Sequence, residues 1–563
     1  MSESSVNEKD AVLPADAPGA ISPDIDLSTY HERRAGRLVL DPTEAQIEFG
    51  DKVASRLKLS PDGKTVLWPQ PTDDPEDPQN WSEWRKTVQL AIITLAAVVP
   101  DFDSGIGIAS IFALAEQYDT TTGVINNLTS KYVSLLQSVS AIGWGSLFAV
   151  MLMRRYGRLP VLFWSQVLAL GFLVGCTFAP NLSTFAAMRC LTAFFGTCPQ
   201  VTGLYVVTDM YPFHRQARKL NIWTMGFVIS PFLSPFAFGF LVARASWRWT
   251  YGIGSMYGAF VLFLIVFFAR ETMYDRGVRG LPPPSSSGLR YHVETLVGIT
   301  GMKMAKYRAT WQEAISAPFK LVWRPHLLGI VIFEAGAQAL LFGFGIGINV
   351  TNAVFLGSPP PEGYGFSQYA IAGAYATPMV AVLIGELIGH FANDAIMHFT
   401  TRRNNGVFEA ESRLWACYIA VPLYICGFVV LGATFQNHLS VGALVMGWGI
   451  AEVAIMVNTV AVYAYANDCF PKHQGEISAL LNLARTLGGF SVAYFQVPWA
   501  TKHGALQTFG CEAAVVAGLF LLTVPTIQLT GRTLRAPPLT QPGSSSSRNL
   551  VPVIVNSKNQ RRQ

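Results

Sequence analysis

The chain has 563 residues, of which 51% are hydrophobic and only 14% charged, with a formal net charge of +5. An ordinary soluble domain carries about 25% charged residues, so most of this chain cannot face water, and a soluble globular protein is excluded. The small cationic excess follows the placement of Lys and Arg in short loops and gives no argument for a nucleic-acid partner.

Residues 1–86 are polar, proline-containing and acidic in patches, as in "PTDDPEDPQNW" (Pro71 to Trp81). They lack the apolar core of a secretory signal and read as a mostly disordered cytoplasmic tail. Residues 87–270 then hold six apolar runs, near 88–110, 132–153, 160–180, 185–207, 219–242 and 250–270. A helix needs about 20 mostly apolar residues to cross a bilayer, and these runs qualify as segments one to six. Segment five is the weakest, because glycine and proline break it around 226–240. A polar stretch, 271–325, opens near "LPPPSSSG" and joins two halves as a cytoplasmic linker. Segments seven to twelve follow within 326–530, near 327–355, 367–392, 412–435, 440–466, 475–498 and 508–530. Residues 531–563 read as a second disordered cytoplasmic tail.

The expected fold is an all-α membrane protein of twelve transmembrane helices in two six-helix bundles. Lys and Arg orient it. The loops "RRYGR" (Arg154 to Arg158), "HRQARK" (His214 to Lys219) and "TRRNNG" (Thr401 to Gly406) are basic. The alternate loops "APNLS", "GSPPPEGYG" and "QNHLS" carry no Lys or Arg. Basic loops stay in the cytoplasm, which places both termini there. The seven cysteines lie in or beside apolar segments without paired or metal-like spacing, so neither a disulfide framework nor a zinc site is expected.

Ionisable residues inside such segments are costly, roughly 2.5–3.5 kcal/mol each on insertion scales, and mark paths or partners. Segment one carries two, in "LAAVVPDFDSGIGIAS" (Leu95 to Ser110): Asp101 and Asp103. Segment four has Arg189, segment seven Glu334, segment eight Glu386, segment ten Glu452 and segment eleven Arg485. One reading is structural: Glu386 pairs with Arg485, and Arg189 with one of the aspartates, which as i and i+2 neighbours do not share a helix face. The other is that Asp101, Asp103, Glu334 and Glu452 bind and release protons or cations along a path.

The local motifs add a resemblance. "RRYGRLPV" (Arg154 to Val161) resembles the loop signature after helix two of the major facilitator superfamily, and "MRCLTAFFG" (Met188 to Gly196) its helix-four arginine motif. "GFVISPFLSPFAFG" (Gly226 to Gly239) is similar to its helix-five antiporter motif. "DPEDPQNWSEWRK", "SWRWTYGI", "ARETMYDRG", "NDAIMHFTTRRNNGVFEAESRLW", "YANDCFP" and "LNLARTLGGF" resemble fungal members of the twelve-helix drug:proton antiporter branch. Departures are visible: Arg154 stands where that loop usually has an aspartate, Ser230 replaces a usual glycine, and Pro235 interrupts a small-residue pair. Asp394 remains in the corresponding second-half loop.

The resemblance implies a central cavity lined by helices one, four, seven and ten, which carry Asp101, Asp103, Arg189, Glu334 and Glu452. It implies alternating access around a midplane site, with Trp144, Gln200, Tyr205, Gln338, Trp448 and Asn458 as candidate substrate contacts. Arg154, Arg155, Gly157, Arg158, Glu386, Asp394, Arg402, Arg403 and Arg485 are then gating or structural. The expected activity is proton-coupled export of a small organic compound (a drug, toxin or secondary metabolite) by a monomer in the plasma membrane. The energy source is the proton gradient, with no cofactor. The alternatives are a proton-coupled importer of an organic cation or polyamine, and a transporter-like sensor. No segment pairs a nucleophile with a base or shows metal-ligand spacing, so an enzyme is not expected. Asn127 in "NLT" is a candidate glycosylation site, whereas Asn181 in "NLS" sits too close to the bilayer.

Overall fold

Inside a bilayer, backbone polar groups have only each other as partners, so the apolar runs fold as helices. The computed structural model describes residues 38–120, 139–275, 288–322, 352–359, 363–404, 407–469 and 473–535. Among these, nine helices are long and apolar enough to cross a membrane. In the first half they are Glu83–Ala109, Arg158–Thr177, Leu182–Met210, Phe213–Val242 and Arg248–Phe268, matching segments one and three to six. In the second they are Gln368–Gly389, Ala410–Asn437, Val441–Cys469 and Ala505–Thr530, matching segments eight, nine, ten and twelve. Segments two (Val139–Tyr156) and eleven (Gln474–His503) are helical too, though shorter or more polar. Segment seven lies outside the described residues apart from its last turn.

Segment one stays helical through Pro100 and both aspartates. Segment four breaks at Thr197 into Leu182–Gly196 and Cys198–Met210, with Pro199 in the first turn of the second piece. Segment five, the weakest run in sequence, is one 30-residue helix that absorbs Pro231 and Pro235. Packing supports it: segments one and five lie against each other along most of their length, as do nine and ten. The latter approach is close because Gly427 and Gly447 have no side chain. A Cβ at Gly427 would stand 2.6 Å from the Ala451 nitrogen, and one at Gly447 2.9 Å from the Leu431 nitrogen. The two halves meet through segments two and four against eleven, and five against eight.

The N-terminal tail corrects the expectation for residues 1–86. Residues 38–81 form an ordered strap, while residues 1–37 lie outside the described residues. Strand Leu38–Val39 pairs antiparallel with Val407–Phe408, in the loop between segments eight and nine. Helix Pro42–Phe49 is capped by Asp41, whose side chain accepts from the Thr43 and Glu44 N–H groups; the bond from Thr43 holds the Asp41 carboxyl below its ordinary pKa. Trp68 Nε1 donates to the Val39 carbonyl at 3.0 Å, and the Phe213 N–H donates to the Trp68 carbonyl at 2.8 Å. Phe408 and Phe213 rings meet edge-on at 5.2 Å. The tail lacks enough apolar residues for a core of its own. Its few, including Phe49, Val66, Trp68 and Trp81, are buried in the core that the helix ends supply.

The linker, 271–325, contains helices Gly288–Val297, Ile299–Met304 and Trp311–Val322. Leu289, Val293 and Val297, and likewise Trp311, Ile315 and Phe319, repeat at i, i+4, i+8 and remain exposed. A face of this kind suits the headgroup boundary of a bilayer. The last helix runs on to Arg535, five residues beyond the expected end of the second bundle at 530.

The strap generates a prediction. Trp68→Ala removes a buried indole and its bond to Val39, at a cost of about 3–5 kcal/mol. Residues 38–81 should become sensitive to limited proteolysis while the transmembrane core stays intact; an unchanged digestion pattern would show that the strap does not depend on this side chain.

Candidate functional site

Segment one places Asp101 toward the second half. Its Oδ2 accepts from Gln200 Nε2 on segment four at 2.8 Å and from Arg485 Nη2 on segment eleven at 3.4 Å. Gln200 Oε1 in turn accepts from Arg485 at 3.4 Å and from Asn482 Nδ2 at 3.2 Å. Asn482 Nδ2 also donates to Ser146 Oγ on segment two at 2.8 Å, and Ser478 Oγ to the Gln200 carbonyl at 3.4 Å. The Arg485 guanidinium lies 4.9 Å from the Phe227 ring centroid, and Phe227 packs with Trp223 and Tyr463. Gln200, Asn482, Ser146 and Ser478 are all at most 3% exposed. Three helices of one half and one of the other thus share a single polar network.

This corrects the Glu386–Arg485 pairing: Arg485 reaches across to Asp101, and Glu386 Oε2 has no hydrogen-bond partner among the described residues. Asp103, two positions on, faces away as helix geometry requires. It is 4% exposed, its Oδ1 has no partner among the described residues, and it lies toward Gly254 of segment six. Arg189 does not take up an aspartate carboxylate. It donates to the backbone carbonyls of Asp103 (3.0 Å) and Ser104 (3.4 Å) and to the Tyr251 hydroxyl (3.0 Å). Gly107 makes room, since a Cβ there would meet Arg189 Nη2 at 3.1 Å. Gly107 therefore serves the arginine, whereas Gly105 lets Ser234 of segment five approach.

At the end that the basic-loop pattern assigns to the cytoplasm, the missing loop aspartate has a substitute. Arg154 forms an ion pair with Glu476, the buried acid that opens segment eleven, and Tyr205 donates to the other Glu476 oxygen at 3.3 Å. Gly475 lies so close under the Tyr205 ring that any side chain would collide with it. Arg158 stacks 4.4 Å from the Tyr205 centroid and pairs with Asp209. Gly157, at φ +100°, turns the chain into segment three, and Glu271 caps that helix by accepting from the Arg158 and Leu159 N–H groups. Arg155 binds the Ala309 carbonyl of the linker and lies 5.3 Å from the Trp311 centroid. A cavity of about 350 Å³ lies beneath, lined by Arg154, Arg158, Tyr205 and Arg308 among others. Arg308 pairs with Asp275, and in the second half Arg413 donates to Asp468 at 3.0 Å.

The remaining candidates separate. Trp144 is 44% exposed on the outer face of segment two. Trp448 is fully buried against Tyr375, at 5.2 Å, and donates to Glu452 at 3.3 Å, so it packs the second half's interior. Asn458 is 2% exposed with its Oδ1 lacking a partner among the described residues. Glu334, Gln338 and Asn127 lie outside the described residues, and the Asp394 backbone continues helix Ala376–Arg403. Arg402 and Arg403 are exposed at the end of that helix. Asn181 caps segment four by accepting from the Thr184 N–H at 2.8 Å. Sequence reasoning missed Ser146, Ser478, Asn482, Glu476, Asp209, Glu271 and Glu512. Of these only Glu512, an acid inside an apolar run, carries a signal readable without the fold.

Comparison with known proteins agrees with this architecture. The family model of the Major Facilitator Superfamily matches residues 93–493. The efflux pump radE of Floropilus chiversii is 23% identical over 528 residues, covering 92% of each chain. The MFS-type transporter penM of Penicillium rubens is 24% identical over 484 residues, covering 84% of this chain and 89% of penM. Among solved structures, the E. coli xylose transporter XylE in a partially occluded inward-open conformation shares the fold, with a TM-score of 0.54 and 14% identity over 79% of this chain and 98% of XylE.

Two outcomes test the geometry. Arg485→Met leaves the Asp101 carboxylate buried without its cation and should cost about 3–5 kcal/mol, read as a lower Tm in detergent; adding Asp101→Asn should restore most of the loss. If the double variant is as unstable as the single, the pair is not the source of that stability. Separately, Glu476→Gln should raise labelling of an S478C cysteine by a thiol reagent applied from the cytoplasmic side; unchanged labelling would mean the Arg154–Glu476 pair does not seal that end.

Proposed function

The chain belongs to the Major Facilitator Superfamily and is an integral, multi-pass membrane transporter of small molecules; on that premise we propose that it exports a small organic compound in exchange for protons. The observation that carries this reading is the buried Asp101–Arg485 pair, because its partners sit on the two halves that rock against each other in alternating access. A carboxylate that loses its charge no longer holds a guanidinium in a low-dielectric site. Protonation of Asp101 therefore frees Arg485 and weakens the hold of segment eleven on segments one and four. Gln200 and Asn482 remain as neutral hydrogen-bonding groups that a polar cargo atom can occupy in their place.

Direction is supported by the relatives, among which radE is named an efflux pump. The second half of the mechanism lies at the cytoplasmic face. Arg154, Glu476 and Tyr205 tie the halves together there, as needed in a state that receives protons from outside. Cargo enters when this contact and the strap yield. Action as a monomer in the plasma membrane completes the proposal, with drugs, toxins or secondary metabolites as the cargo class.

The test is transport of fluorescent organic compounds, neutral and cationic, in cells and in vesicles with an imposed pH gradient. Wild type should lower cellular accumulation. Asp101→Asn should reduce gradient-driven export by about tenfold or more, the scale of one lost coupling energy near 1.4 kcal/mol, while exchange without a gradient persists. Export by Asp101→Asn with unchanged pH dependence rules out Asp101 as the coupling group; greater accumulation in expressing cells would mean import.

A further inference from the structure

The second half contains a buried polar cluster that the Asp101–Arg485 network does not use. Glu452 on segment ten and Glu512 on segment twelve are 2% and 1% exposed. Tyr424 of segment nine, fully buried and with no hydrogen-bond partner for its hydroxyl among the described residues, lies within electrostatic reach of both carboxyl groups. Trp448 Nε1 donates to Glu452 at 3.3 Å, and Gln496 Nε2 of segment eleven donates to Glu512 at 2.9 Å. The second carboxyl oxygen of Glu512, Oε1, has no partner among the described residues. Four consecutive helices thus aim polar groups into one interior.

Among the described residues no cation is paired with these acids. The apolar runs of the second half contain only two Lys or Arg residues, Arg413 and Arg485. Arg485 is held by Asp101 and Arg413 by Asp468. Segment eight, packed on segment ten, contributes the phenol Tyr375 against Trp448 and a third acid, Glu386. The sequence of segment seven, outside the described residues, contains Glu334 and no Lys or Arg. Among the described residues, each direct partner of the two carboxyls is a neutral N–H donor. A buried carboxylate without a cation must be neutralised, and a proton is the smallest agent that does so.

We propose that Glu452 and Glu512, on the two segments that pack against segment nine, form a second proton-holding site inside the C-terminal bundle. Each carboxylate takes one proton from water to become a carboxylic acid and returns it on release, with no other reactant. The depths are staggered. Glu512 lies about 10 Å, and Glu452 about 16 Å, along their helices from the ends that the basic-loop pattern places outside, at about 1.5 Å per residue. Glu512 is thus the outer station and Glu452 the inner. The use of this site in transport rests on the proton-exchange reading above; its proton occupancy does not.

The experiment is infrared spectroscopy of the purified full-length protein in lipid, titrated from about pH 5 to about pH 9, the range in which a buried carboxyl is distinguished from a free one. Wild type should keep a protonated-carboxyl stretching band at neutral pH. Glu452→Gln and Glu512→Gln should each remove a distinct part of it, and Tyr424→Phe should shift its frequency without removing it. Glutamine mimics a protonated acid, so both glutamine variants should also keep the wild-type Tm. Spectra identical in all four proteins, or a glutamine variant that unfolds because an ionised carboxylate was required, would overturn the proposal. None of these readouts involves cargo, so a failed export assay leaves this result standing, and a failed titration leaves the Asp101 test standing.

Discussion

A carboxylate and a guanidinium buried between two bodies that must separate are the constraint around which this molecule is arranged. Asp101 and Arg485 stand 3.4 Å apart with little water around them. In such a place, each charge depends on the other for its stability, and the penalty for parting them is large unless one is neutralised. The neighbouring groups are neutral hydrogen-bonding side chains, Gln200, Asn482, Ser146 and Ser478. They can re-pair when the charges move, which lets the contact open without stranding a buried polar group. A network of fixed charges in their place would lock the halves.

The cytoplasmic face repeats the arrangement with different parts. Arg154 supplies the cation from the first half, Glu476 the acid from the second, and Tyr205 a hydroxyl between them. Arg158, Asp209 and Glu271 brace the first half beneath this contact, and the linker is drawn in through Arg155 and Arg308. The strap 38–81 then crosses from the start of segment five to the loop before segment nine. Its strand pairs with Val407–Phe408 on one side and its Trp68 carbonyl accepts from the Phe213 N–H on the other, so any separation of the halves there must bend it. Stability at this end is distributed over several modest contacts, each of which is easier to release than one large one.

The two halves treat buried charge differently. In the first, Arg189 is spent on backbone carbonyls of segment one and on Tyr251, and braces the helix that presents Asp101. In the second, Glu452 and Glu512 are met, among the described residues, by N–H donors. Arg189 thus meets carbonyl and hydroxyl oxygens in the first half, whereas Glu452 and Glu512 in the second meet neutral donors. This asymmetry lies within the bundles and is independent of the contact between them.

Hydrophobicity alone determined that this chain is a bundle of membrane helices, since about 20 apolar residues in a row have no other stable form in lipid. It also singled out Asp101, Arg485 and Gln200 as unusual, because a polar group in such a run needs a reason. Partnership was beyond its reach. Arg485 lies 384 positions from Asp101, and nothing local distinguishes Asp101 from Glu386 as its partner; the choice follows from which helix faces meet across the halves. The same applies to Arg154, whose acid comes from the opposite bundle, and to Trp448, which turned inward to Tyr375. The strap shows the limit most clearly. Composition measures whether a segment can build a core by itself, whereas Trp68 and Phe49 are buried in a core built by others, a fact that exists only once the chain has folded.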